Sequence, residues 1–159
     1  MFDIRRLFAA RRRPEPTTAY ERGVAALDEG RFEVALEAFG AALVDASEAG
    51  NASDAAAALN KRGVVLVALG RRDDAVEAFC AALLSDERCA PAIVNIGNLL
   101  LEDGHELDAV DYYESALRID DRYAAAHGNL GVALRRLGRG GESVRALKRA
   151  ARLSMRRRS

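Results

Sequence analysis

The chain has 159 residues, half of them apolar, 30% charged and 6% aromatic, with no tryptophan and a formal net charge of zero. That length suits one domain with a sizeable core, and the composition excludes collagen, low-complexity disorder and a disulfide scaffold. No run approaches the roughly 18 apolar residues of a membrane span, and two cysteines with two histidines make no metal framework, so a reduced, cytoplasmic chain without cofactor or metal is expected.

Residues 1–15 read as a basic, partly amphipathic arm. Arg5, Arg6, Arg11, Arg12 and Arg13 follow Asp3, and Arg11-Arg12-Arg13-Pro14 arrives before an apolar core of about 7–15 residues could form. Neither an export leader nor a twin-arginine signal is therefore expected. Ile4, Leu7 and Phe8 fall at i, i+3 and i+4, which favours a short amphipathic helix. Pro14 and Pro16 then disfavour helix at the residues before them and separate the arm from the body.

From residue 16 the chain repeats itself. Thr18-Ala19-Tyr20-Glu21 has the form of a capping box that opens the first helix. Gly23, Gly63, Gly97 and Gly131 are spaced by 40, 34 and 34, and Gly30, Gly70, Gly104 and Gly138 keep the same intervals. So do Ala35, Ala75, Ala109 and Ser143; Leu36, Val76, Val110 and Val144; Phe39, Phe79, Tyr113 and Leu147; and Ala42, Ala82, Ala116 and Ala150. Six columns in one register predict stacked supersecondary units. Within each unit two helices flank the second glycine, whose left-handed backbone closes the first of them cheaply. In the second unit Leu59, Leu66 and Leu69 serve the first helix, and Val76, Phe79 and Leu83 the second. The units are expected at about 16–49, 56–89, 90–123 and 124–157, within one domain over 16–159. Gly50-Asn51 marks a turn in the insertion near 50–55, and Ser53 its N-cap.

These columns resemble the tetratricopeptide repeat, a helix–turn–helix unit of 34 residues. The resemblance implies an all-α, right-handed superhelical solenoid of antiparallel helix pairs, with the first helix of each pair lining a concave groove. In that register Gly23, Gly63, Gly97 and Gly131 hold the small position of the first helix. Ala35, Ala75, Ala109 and Ser143 hold that of the second, and Phe39, Phe79, Tyr113 and Leu147 the aromatic one. The large aromatic expected early in the first helix is Ala19, Leu59, Ile93 and His127 here, and Glu87 and Asp121 replace the usual inter-repeat proline.

By the same register the groove presents Tyr20, Val24, Leu27, Asn60, Lys61, Val64, Val67, Val94, Asn95, Asn98, Leu101, Asn129, Val132 and Arg135. Tyr20 and Val24 stand where chaperone-binding members carry the Lys and Asn of a carboxylate clamp, so that ligand is not expected. An apolar groove edged by amides fits an amphipathic helix or an extended peptide with apolar anchors. A non-enzymatic adaptor that docks a protein or peptide segment is the function expected.

The other chemical candidates read as structure. His105 falls in a turn, and His127 on a packing position. Cys80 is expected in the second-helix packing and Cys89 near a turn. Asp73-Asp74 and Asp120-Asp121 suit helix starts. Gly138-Arg139-Gly140-Gly141 lacks the strand that a phosphate loop needs.

Charge is strongly segregated. Residues 135–159 hold ten Lys and Arg against Glu142, while 14–134 hold nine basic and twenty-two acidic residues. An acidic body with two basic ends follows. Arg145, Lys148, Arg149, Arg152, Arg156, Arg157 and Arg158 form the terminal basic patch. The alternative function is an electrostatic tether or assembly subunit, reaching anionic membrane as a peripheral protein, nucleic acid, or the acidic body of another copy in a homo-oligomer. A further expectation lays the arm's apolar residues in the chain's own groove.

Overall fold

The computed structural model describes residues 17–156. The arm and its expected helix, together with Arg157 and Arg158, lie outside the described residues. Among the described residues the chain forms eight α-helices and no strand: α1 (Ala19–Asp28), α2 (Phe32–Glu48), α3 (Ala52–Ala68), α4 (Arg72–Ser85), α5 (Ala90–Glu102), α6 (Glu106–Ile119), α7 (Ala124–Arg136) and α8 (Gly140–Arg156).

The capping box forms as expected. Thr18 Oγ1 accepts from the Glu21 N–H at 3.1 Å, and Glu21 Oε2 accepts from the Thr18 N–H at 3.1 Å. The same carboxylate also accepts from Thr17 N–H and Oγ1, both at 2.9 Å. Led by the Thr18 N–H, these donors pull the Glu21 carboxyl from its ordinary 4.5 down to about 2. The folded value lies below the unfolded one, so this stabilisation is complete above the unfolded pKa and fades as pH falls towards 2. Wild type should therefore be more stable than Glu21→Gln above about pH 5, with the gap closing on acidification. Urea unfolding across that range checks it, and a constant gap would contradict the charge's role.

Helix ends follow two chemistries. At Gly70, φ is +73°, its N–H donates to Val67 O at 3.0 Å, and the Arg71 N–H donates to Leu66 O at 2.9 Å. This is the Schellman pairing that satisfies orphan carbonyls, and α1, α2, α5 and α7 end the same way. By contrast, α4 and α6 end on extended Asp86 and Asp120, whose carboxylates accept from the Arg88 and Arg122 N–H groups at 2.9 Å. An Asx turn thus separates repeats where proline was absent. Asp120-Asp121 terminates α6 instead of starting a helix.

The insertion is largely helix. α2 and α3 have 17 residues each, against 14 in α4 and α6 and 13 in α5 and α7. Their junction is a tight turn, and its N-cap is Asn51, not Ser53: Asn51 Oδ1 accepts from the Asp54 N–H at 3.1 Å. Ser53 sits inside α3.

Each helix packs on the next, and α1, α3, α5 and α7 also touch in succession. Among the described residues no two of α2, α4, α6 and α8 do so. The stack therefore has a tight inner layer and a splayed outer one, which bends it towards α1, α3, α5 and α7. Between the layers Phe39, Phe79 and Tyr113 are completely buried against Gly23, Gly63 and Gly97. The fourth member of that column, Leu147, remains 37% exposed on terminal α8, and Val76, expected in the core, is also exposed.

Candidate functional site

The inner layer carries two adjoining hollows. One, about 120 Å³, is lined by Val64, Val67, Phe79, Asn95, Asn98, Leu99 and Glu102. The larger, about 480 Å³, is lined by Tyr20, Ser53, Ala57, Asn60, Lys61, Val64, Asp86, Arg88, Cys89, Pro91, Asn95 and Tyr123. Val64 and Asn95 belong to both, so α3 and α5 form one groove wall.

The structure brings Tyr20, Asn60, Lys61, Val64, Val67, Asn95 and Asn98 of the expected set into this groove. Val24 and Leu27 are half-buried against the core between α1 and α2. Val132 packs on the core of the last two repeats, and Arg135 is exposed at the end of α7. Val94 and Leu101 depart from expectation: they are 2% and 8% exposed and belong to that same core. They lie seven residues apart, two helical turns, and so share a face. Val94 repeats the position of Asn60, but Asn60, though buried, lines the groove, whereas Val94 is packed into the core.

The asparagines first serve the fold. Asn95 Nδ2 donates to Asn60 Oδ1 at 2.8 Å, and Asn129 Nδ2 donates to Asn98 Oδ1 at 2.7 Å. Asn98 Oδ1 also accepts from the Tyr113 hydroxyl at 2.9 Å. Burial above all, with the Glu102 charge nearby, pushes the Tyr113 phenol up to about 12 and keeps it a donor. These bonds tie successive inner helices together. Asn95 Oδ1 and Asn98 Nδ2 carry no hydrogen bond to another described residue.

Two arginines close the rim. Arg72 donates to Leu99 O at 2.6 Å and pairs with Glu102 at 2.8 Å and Asp103 at 2.9 Å. Arg136 donates to Leu101 O at 2.7 Å. Both satisfy carbonyls at the C-terminal end of α5, where positive charge also favours the helix dipole. The groove residues missed from sequence include Arg88, Pro91 and Tyr123. A signal existed, because Asp86 and Arg88 recur as Asp120 and Arg122 at the repeat interval.

With this geometry in view, the sequence profile of the tetratricopeptide repeat matches residues 20–92 and 94–156. The chain belongs to the tetratricopeptide repeat family. Proteins of this family are generally non-enzymatic scaffolds for protein interaction. Among the curated proteins none matches the chain. Of solved structures, MamA is 19% identical with a TM-score of 0.65, the match covering 96% of this chain and 85% of MamA. BtubC (BKLC) from P. vanneervenii is 20% identical with a TM-score of 0.69, over 89% of this chain and 63% of that one. The second TPR of Spaghetti (RPAP3), bound to the HSP90 peptide SRMEEVD, is 21% identical with a TM-score of 0.58, over 62% of this chain and 91% of that one. At these identities the likeness is one of fold.

Away from the groove, this tetratricopeptide array places Arg145, Lys148, Arg149, Arg152 and Arg156 on the exposed surface of α8. Arg149 stands 3.9 Å from Asp121. Val144, Leu147 and Met155 are exposed among these cations, because no helix follows α8 in the described stack. Cys80 is exposed, not packed as expected, while Cys89 lies at the expected turn, its N–H bonded to Asp86 O, and is buried beside Ala56, Ala82 and Ala92, which raises its thiol pKa. His105 is exposed at the start of α6, and His127 is half-buried with Nε2 2.9 Å from Asp121 O. No helix among the described residues is long and apolar enough to cross a membrane.

Proposed function

We propose that this chain is an adaptor that docks an apolar or amphipathic peptide segment along the α3–α5 wall of its inner face. The observation that carries the reading is the pair of adjoining hollows with an apolar floor at Val64, Val67 and Leu99 and amide atoms on Asn95 and Asn98 that carry no hydrogen bond to another described residue. Apolar anchors fill the floor, while Asn95 Oδ1 and Asn98 Nδ2 bond a peptide backbone without reading its side chains. The peptide held by the array similar in fold, the second TPR of Spaghetti (RPAP3), supports this use of the architecture.

The exposed basic face of α8 favours a second reading, in which that end contacts a second copy, anionic membrane or nucleic acid. Residues 17–48 carry seven acidic and two basic side chains, a charge opposite to that of α8. One experiment separates the two. Peptides selected from a random library on the wild-type protein are titrated by calorimetry into Val67→Glu and into the triple variant Arg145→Ser, Arg149→Ser, Arg152→Ser. Val67→Glu should weaken binding at least tenfold, about 1.4 kcal/mol, and the triple variant should leave it unchanged. The reverse pattern would move the function to α8.

A further inference from the structure

A second concavity, about 500 Å³, opens at the first-repeat end of the stack. Its walls are Ala42, Ala46 and Ala49 along α2 and Ala57 of α3, with the exposed carboxylates of Asp45 and Asp54 among them. The lengthened helices create it. α1 has only 10 residues against 17 in α2 and in α3, and it starts where Ala19 packs against Ala42 and Ala58. Past that point the ends of α2 and α3 extend beyond α1, with no first-repeat inner helix beside them among the described residues. A wall of alanines supplies apolar surface but no large side chain to fill the space.

The chain itself points to the occupant. Sixteen residues precede Thr17, and Thr18, Ala19 and Tyr20 form the third side of the concavity. Those residues carry five arginines, and also Ile4, Leu7 and Phe8 at helical spacing. We infer that residues 1–13 dock in cis onto this overhang, with Leu7 and Phe8 against the alanine walls and arginines beside Asp45 and Asp54. Pro14 to Pro16 span at most about 10 Å, which keeps the arm close to the concavity it fills. A short tether gives an effective concentration in the millimolar range, so weak intrinsic affinity suffices. The apolar part explains why the site is alanine-lined, and the charge part weakens with salt as the Debye length falls below about 10 Å. Tyr20 and Ala57 line both this concavity and the groove.

Disulfide trapping tests the inference on the full chain. Exposed Cys80 is replaced by serine, buried Cys89 is kept, and Phe8→Cys is paired with Ala49→Cys. Mild oxidation should yield an intramolecular disulfide of monomer mass, formed at least fivefold faster than with a Phe8→Cys, Leu107→Cys control at the start of α6 in the third repeat, where Leu107 is exposed. Adding Asp45→Lys and Asp54→Lys, both at exposed positions, should slow trapping several-fold without unfolding the protein by circular dichroism. A dimer-sized product would assign the concavity to another copy and overturn the inference. So would trapping no faster than in the Leu107→Cys control.

Discussion

Phe79→Ala is expected to remove about 3–5 kcal/mol of unfolding free energy, and Gly63→Ala about 1–3 kcal/mol, with the two losses far from additive. Phe79 is fully buried between the layers, and a Cβ built at Gly63 would lie 2.6 Å from Phe79 Cδ1. Helix propensity alone would favour alanine over glycine by roughly 1 kcal/mol. The ring decides the sign, because it is wedged in the core and cannot swing aside as the end of a flexible chain could. With Phe79→Ala already in place, Gly63→Ala should turn neutral or stabilising. A double-mutant cycle by urea unfolding should therefore show a coupling of roughly 2–3 kcal/mol. Equal cost of Gly63→Ala in both backgrounds would break the link between the two columns. Because each repeat leans only on its neighbours, Phe79→Ala should also lower the urea m-value as the two halves begin to unfold separately.

This pairing was legible in the sequence because glycine and aromatic recur at one interval, and three buried ring–glycine pairs follow from that register. Leu147 departs from the column for a reason the repeat pattern does not encode: nothing in the described stack packs beyond α8. The insertion carried a missed signal. Ala52, Ala55, Ala56, Ala57 and Ala58 are strong helix formers, and they start α3 at Ala52, ahead of the N-cap expected at Ser53. The groove was legible only in part. Val64, Val67, Asn95 and Asn98 line the hollow, yet neighbouring positions on a helix differ by about 100°. The angle at which successive inner helices meet decides which column faces a ligand and which faces the next repeat. A single chain's pattern does not contain that angle, so the register puts Val94 and Leu101 on the open face although they are packed in the core. The asparagines show the same limit, since spacing revealed their column but not that they bond one another.

Val94→Glu should accordingly behave as a core lesion, whereas Val67→Glu should behave as a surface change. Val94 is 2% exposed among the packed residues of the last two repeats, while Val67 is 38% exposed on the groove floor. A carboxyl buried at position 94 is expected to have its pKa raised by up to about 3–5 units. At about 1.36 kcal/mol per unit, the charged form then costs about 4–7 kcal/mol, much of the 5–15 kcal/mol that typically stabilises a domain. The sign of the pH dependence is fixed. The folded state holds the proton more tightly than the unfolded state, so the penalty is smallest below about pH 4.3 and grows as pH rises towards the folded-state value. Val67→Glu should change stability by no more than about 0.5 kcal/mol, with little dependence on pH. Urea unfolding of both variants at pH 4 and pH 8 makes the comparison. A small, pH-independent loss for Val94→Glu would return Val94 to the open face. The expected large loss means that failed binding by Val94→Glu would report unfolding, which leaves Val67→Glu as the substitution that interrogates docking.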